Sequence, residues 1–153
     1  MQADMMLPPA IGPVARLGRS EMATVPLFIL LCSGEHEKVQ MAAMMASVGA
    51  VSERPVEVFV SMNAIMAFAR NTPVSTRYRG GAFSDLLKEK RAPDAIALFR
   101  QGRELGDLKM WACSMALDVT GWEVDHLEPD LFDGPLGLTK FLSNAEGGQF
   151  VAL

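Results

Sequence analysis

Cys113 falls in the run Leu108-Lys109-Met110-Trp111-Ala112-Cys113-Ser114-Met115-Ala116-Leu117-Asp118, where an apolar strand pattern hands over to a helical one. The N–H groups that open a helix have no partner within it, and with the helix dipole they favour negative charge beside them. Cysteine reactivity follows thiolate population. A thiolate at this junction would rest against the amides of Ser114, Met115 and Ala116, with Trp111 and Met110 flanking it on the strand. Asp118 lies about one and a half helical turns further on and is not aimed at the sulfur. Residue type alone leaves two readings, since a single cysteine at the end of an apolar strand is more often an inert buried thiol than a nucleophile.

Cys32, the other cysteine, also closes an apolar run. If both thiols lie on one rim, Cys32 can act as a resolving thiol for Cys113. A zinc site built from Cys32, His36 and Cys113 would need a fourth ligand, and its spacing lacks paired C-x-x-C units. No metal is therefore expected, and His36 reads as a solvent-facing histidine. Arg70, Arg77 and Arg79 surround the loop signal from Asn71 to Ala82; Arg77 and Arg79 are candidates for holding an anion, with surface solvation as the alternative for each. Gly80-Gly81 lacks the Walker spacing and no G-x-G-x-x-G follows the first strand, so nucleotide binding rests on fold analogy alone.

The elements that must position these groups are legible in outline. Val25 to Cys32 is a continuous apolar run of strand length, with Pro26 near its start. Ser33 is a cap residue before an Ala/Met-rich helix, Lys38 to Val51, that is apolar around most of its circumference and so is expected to be covered on more than one side. Val56 to Val60 is a β-branched strand, and Asn63 caps a short helix through Ala69. Phe83 to Lys90 reads as a helical turn or two. Pro93 opens a clearer helix with Ala95, Leu98, Phe99, Gly102 and Leu105 on one face and Gly106 at its end. Leu108 to Ala112 is the next strand, and Ser114 to Thr120 is a short helix stopped by Gly121. An acidic, Pro-broken stretch from Glu123 to Pro135 precedes a helix from Leu136 to Asn144 and a last strand, Gln149 to Leu153. Alternating strands and helices imply a mostly parallel sheet with helices on both faces. The ligand crevice of such a sheet lies beyond the carboxyl ends of its strands, which is where both cysteines stand.

Composition narrows the partners. The chain of 153 residues carries a formal net charge of −4 with no polybasic run, which gives no footprint for nucleic acid or an anionic membrane. Two cysteines do not make a disulfide framework, no secretory-signal pattern opens the sequence, and the longest apolar run is far too short to span a bilayer. A cytoplasmic location is expected. Residues 1–23, with Pro8, Pro9, Gly12, Pro13 and Gly18, read as a flexible N-terminal arm before a single domain over 24–153. Eleven methionines is a high count. Met41, Met44, Met45, Met62 and Met66 read as core packing, with a subunit interface as the sharper alternative.

From Ala92 onward the order of features resembles the DsrE/DsrF-like family, in particular the DsrE-like sulfur carriers often labelled peroxiredoxin-like. The likeness centres on Ala112-Cys113-Ser114-Met115-Ala116-Leu117-Asp118-Val119-Thr120-Gly121, which is similar to that branch's A-C-x-M-S-M-D-x-M-G segment; Leu117 and Thr120 stand where methionine is usual. Asp94 to Leu105 followed by Gly106, and Gly137-Leu138-Thr139-Lys140-Phe141-Leu142, also fit. The resemblance spans roughly residues 24–153. After the second strand, Val60-Ser61-Met62-Asn63-Ala64 lacks the aromatic pair that family members often show, which bears on the shape of the sulfur pocket.

The resemblance implies a three-layer α/β/α sandwich with a mostly parallel sheet of about five strands. It implies that Cys113 carries sulfane sulfur as a persulfide and passes it to a partner thiol, such as that of a TusA-type carrier, in sulfur oxidation or sulfur relay. A homo-oligomer is implied, and no cofactor is. On this reading Ser114, Met115, Trp111 and Cys32 line the sulfur site, while Arg77 and Arg79 hold a small anionic sulfane donor such as thiosulfate. Two other classes remain: a non-catalytic oligomeric binding module of the same fold, and a flavodoxin-like binder of a small ligand at the same rim.

Overall fold

A computed structural model describes residues 24–153, and the arm expected over residues 1–23 lies outside the described residues. Five strands, β1 (Leu27–Leu31), β2 (Val56–Val60), β3 (Leu108–Cys113), β4 (Gly134–Leu136) and β5 (Gln149–Ala152), form one sheet in the order β4-β3-β2-β1-β5. Every pairing is parallel. The helices are α1 (His36–Val51), α2 (Val74–Arg77), α3 (Ala82–Glu89), α4 (Ala95–Leu105), α5 (Ser114–Thr120) and α6 (Leu138–Asn144), with a 3-10 helix over Met62–Phe68.

Strand alternation divides the core into two halves. Leu27, Ile29, Leu31, Val56, Val58, Val60, Leu108, Met110 and Ala112 are buried on the face that α1 and α4 cover. Those helices approach closely because small residues stand between them: a Cβ on Gly106, just past α4, would collide with the Ala50 carbonyl of α1. The opposite face carries Phe28, Phe59 and Trp111 and is covered by α6, whose one buried residue, Phe141, stacks on Phe59 at 4.9 Å. The result is a three-layer α/β/α sandwich.

Several sequence expectations need correction. β4 lies inside the stretch read as acidic loop and helix start, and the following helix begins at Leu138. Pro135 is tolerated there because β4 is an edge strand, where a missing N–H costs no ladder bond. The loop from Asn71 to Ala82 contains α2, and the helix after it starts at Ala82. Neither Ser33 nor Asn63 is a side-chain cap: α1 begins after Glu35, and the 3-10 helix after Ser61. Asp94, not Pro93, precedes α4, and its carboxylate accepts from the Ala97 N–H at 3.3 Å. The methionine-rich helix is covered on more than one side, by the sheet and by α4, as expected, but its methionines are not what is covered: Met41 and Met44 remain exposed with Val48 and Val51, as do Met62 and Met66. Core packing is thus the wrong account of four of the five methionines singled out.

Candidate functional site

The carboxyl ends of β1, β2 and β3 bring Cys32, Ser61 and Cys113 side by side. Leu31 pairs with Val60, and Val60 with Ala112, so the next residues continue the same row. All three share strand parity with Leu30, Phe59 and Trp111, and therefore point to the α6 face of the sheet.

A cavity of about 430 Å³ opens there, lined by Leu30, Cys32, Phe59, Ser61, Met62, Cys113, Ser114, Met115, Asp118, Gly137 and Leu138. Its floor is apolar because two-sided burial of a parallel strand demands apolar residues on both faces. The cavity exists because α6, of seven residues, is too short to roof the whole sheet face, and its N-terminal turn stops at Gly137-Leu138. Cys113 is 4% exposed and stands at the residue preceding α5, while Cys32 is half-buried. Burial pushes the Cys32 thiol up, and negative charge on Cys113 adds to the effect.

Of the residues proposed around the thiol, Ser114 and Met115 line this cavity together with both cysteines. Trp111 does not. It lies further back on the same face, where its indole N–H donates to Glu57 Oε2 at 3.1 Å, and Asn144 of α6 donates to the same carboxylate oxygen at 3.3 Å.

Arg77 and Arg79 are elsewhere too. The Arg77 guanidinium is 6% exposed and donates to the carbonyls of Ala67, Ala69 and Thr72 and to the Glu128 carboxylate, which Arg100 also contacts at 2.8 Å. It clamps the loop to the 3-10 helix, so four of its five N–H groups already have partners. Arg79 is exposed, and its carbonyl accepts from the His36 N–H at 2.7 Å. Both line a different and larger cavity, of about 560 Å³, with Gly34, Asn63, Met66 and Trp122. The 3-10 helix separates the two cavities. Gly34 allows that helix to come close, because a Cβ there would stand 2.9 Å from the Asn63 carbonyl oxygen.

His36 is not solvent-facing. It is 5% exposed, its ring stacks on Tyr78 at 4.4 Å, and its Nδ1 lies 2.7 Å from Ser84 Oγ. The Tyr78 hydroxyl donates to Asp94 at 2.6 Å, and burial with that bond pushes the phenol far above its usual range. Sequence reasoning missed this buried polar group; its members lie far apart in the chain, and no local signal links them. The zinc reading has no support, since no group of three His, Cys, Asp or Glu side chains able to hold a metal occurs among the described residues. No helix among them is long and apolar enough to cross a membrane.

Between the two cavities the rim carries exposed Met62, Met66, Met115 and Val119 around a shallow apolar hollow. This surface borders the mouth of the cysteine cavity through Met62 and Met115, which line both.

No family model and no curated protein matches the sequence. Among solved structures, a protein of unknown function, MTH1491 from Methanobacterium thermoautotrophicum, is similar with a TM-score of 0.56 and 14% identity, over 84% of this chain and 99% of that one. At that identity the likeness shows the fold alone.

Proposed function

We propose that the protein is a sulfur carrier of the DsrE-like kind, holding sulfane sulfur as a persulfide on Cys113 and passing it to a partner thiol in the cytoplasm. The observation that carries this reading is the position of Cys113, at the β3–α5 junction and in an apolar cavity on the carboxyl-end rim of the sheet. Loading is a displacement: the Cys113 thiolate attacks the sulfane sulfur of a donor such as thiosulfate, a new S–S bond forms, and sulfite leaves with the electron pair of the broken bond. Unloading repeats it, with an acceptor thiolate attacking the outer sulfur and Cys113 leaving as thiolate. The acceptor is a TusA-type carrier or another thiol protein, and the exposed methionine rim beside the cavity supports a protein partner.

Incubation with thiosulfate or polysulfide, followed by tryptic mass mapping, is expected to add one sulfur, about 32 Da, to the peptide that carries Cys113. No gain on that peptide, under conditions that load a known persulfide carrier, overturns the proposal. A second reading is favoured by the uncovered apolar stripe of α1, Met41, Met44, Val48 and Val51. It is an oligomeric binding module in which Cys113 only packs, and it requires Cys113→Ser to leave all partner interactions unchanged.

A further inference from the structure

We infer that Cys32 and Cys113 work as a two-thiol relay across Ser61, in which sulfur loaded on the buried Cys113 moves to Cys32 and leaves the protein from there. The inference rests on the sulfur-carrier reading above and assigns the second thiol a task within it.

The two thiols differ in access. Cys113 is 4% exposed, whereas Cys32, just past β1, is half-buried. A small donor enters a cavity of about 430 Å³, but the thiol of a partner protein comes on its own loop or helix and needs a sulfur nearer the surface. Cys113 suits the first exchange and Cys32 the second.

Their spacing admits transfer but not a direct bond. β2 lies between β1 and β3, so the Cα atoms of Cys32 and Cys113 are separated by two strand spacings, roughly 9.6 Å. A disulfide requires Cα atoms within about 7 Å. The dithiol therefore does not close on itself without moving the sheet, and the sulfur is not lost by Cys32 attacking Cys113 Sγ and expelling hydrosulfide. The outer sulfur of a Cys113 persulfide, in contrast, extends the reach by about 2 Å into the space that both side chains share.

The step balances without an outside oxidant. The Cys32 thiolate attacks the outer sulfur of the Cys113 persulfide; the S–S bond to Cys113 breaks, Cys113 leaves as thiolate, and the persulfide now sits on Cys32. Leu30, Phe59, Met62 and Leu138 give the transit an apolar wall.

The test loads wild type and Cys32→Ser with thiosulfate or polysulfide, removes excess donor, and follows discharge to reduced thioredoxin as a protein-borne thiol and to dithiothreitol as a small one. Both proteins are expected to load Cys113. Cys32→Ser should discharge to thioredoxin at least tenfold more slowly than wild type, with discharge to dithiothreitol unchanged. Peptide mapping of loaded wild type should find sulfur on both cysteines, and Cys32→Ala should repeat the kinetic result. Discharge of the Cys32 variants to thioredoxin at the wild-type rate, or wild-type sulfur confined to Cys113, overturns the relay while leaving the carrier intact. Failure of the carrier reading is distinct, because then Cys113 loads in neither protein.

Discussion

Cys32 and Cys113 occupy the two ends of one three-residue row, with Ser61 of the intervening strand end between them. They line one cavity, yet stand too far apart to bond. A redox pair and a carrier pair look alike in a list of cysteines and differ in this one separation.

An oxidation experiment follows directly. Treated with diamide in native buffer, the protein is expected to show no Cys32–Cys113 bridge on non-reducing peptide mapping, whereas the same treatment in concentrated urea, where the row no longer exists, should give one. A native-state bridge in good yield would mean that the sheet end opens by several ångströms.

Arg77 is expected to behave as a structural cation. Glu128 is 12% exposed and its carboxylate meets both Arg77 and Arg100. Glu128→Ala leaves a buried guanidinium without its counter-charge and should cost about 3 kcal/mol of stability by urea denaturation. If Arg77 were a donor ligand instead, Arg77→Lys would raise the donor concentration needed to load Cys113 with little loss of stability; the carbonyls of Ala67, Ala69 and Thr72 predict the reverse.

His36 should make the fold sensitive to mild acid. Burial lowers its pKa from 6.5, Lys88 adds to the effect, and Asp94 and Glu37 oppose it. The unfolded chain therefore binds the proton first. Stability is complete above the ordinary histidine value and falls as pH drops from there through the lowered folded value. Urea midpoints should decline below pH 6.5, and His36→Phe should remove part of that slope. An unchanged slope in the variant would place the acid sensitivity on the carboxylates.

The β3–α5 junction was legible because its signals are local: an apolar run of strand length, small residues after it, and Gly121 in the left-handed conformation with φ 69° at the stop. A mostly parallel sheet followed from the alternation of elements, and every pairing is parallel. Long-range partners escaped the reading. Arg77 meets Glu128 across 51 residues of sequence, and His36 meets Ser84 across 48, so each reads locally as a surface group. β4 escaped for another reason, since three residues containing a proline carry no periodicity. The shared row of Cys32 and Cys113 needs strand order and register together, and neither is written in the spacing of two cysteines 81 positions apart by sequence number.

Phe141 is expected to set how open the cysteine cavity is, because it docks the helix whose start forms part of the wall. It is fully buried, it is the one buried residue of α6, and its ring lies 4.9 Å from Phe59 and 5.9 Å from Phe28. Removing that ring in Phe141→Ala should cost about 3 to 5 kcal/mol, as truncation of a buried phenylalanine does. Gly137 and Leu138, on the cavity wall, belong to the same short helix and its lead-in, so loosening α6 loosens the wall. Alkylation of Cys113 by iodoacetamide should then accelerate well before global unfolding, measured by peptide mapping against a urea series. Equal protection of Cys113 in wild type and variant would show that β3 and α5 shield the thiol by themselves.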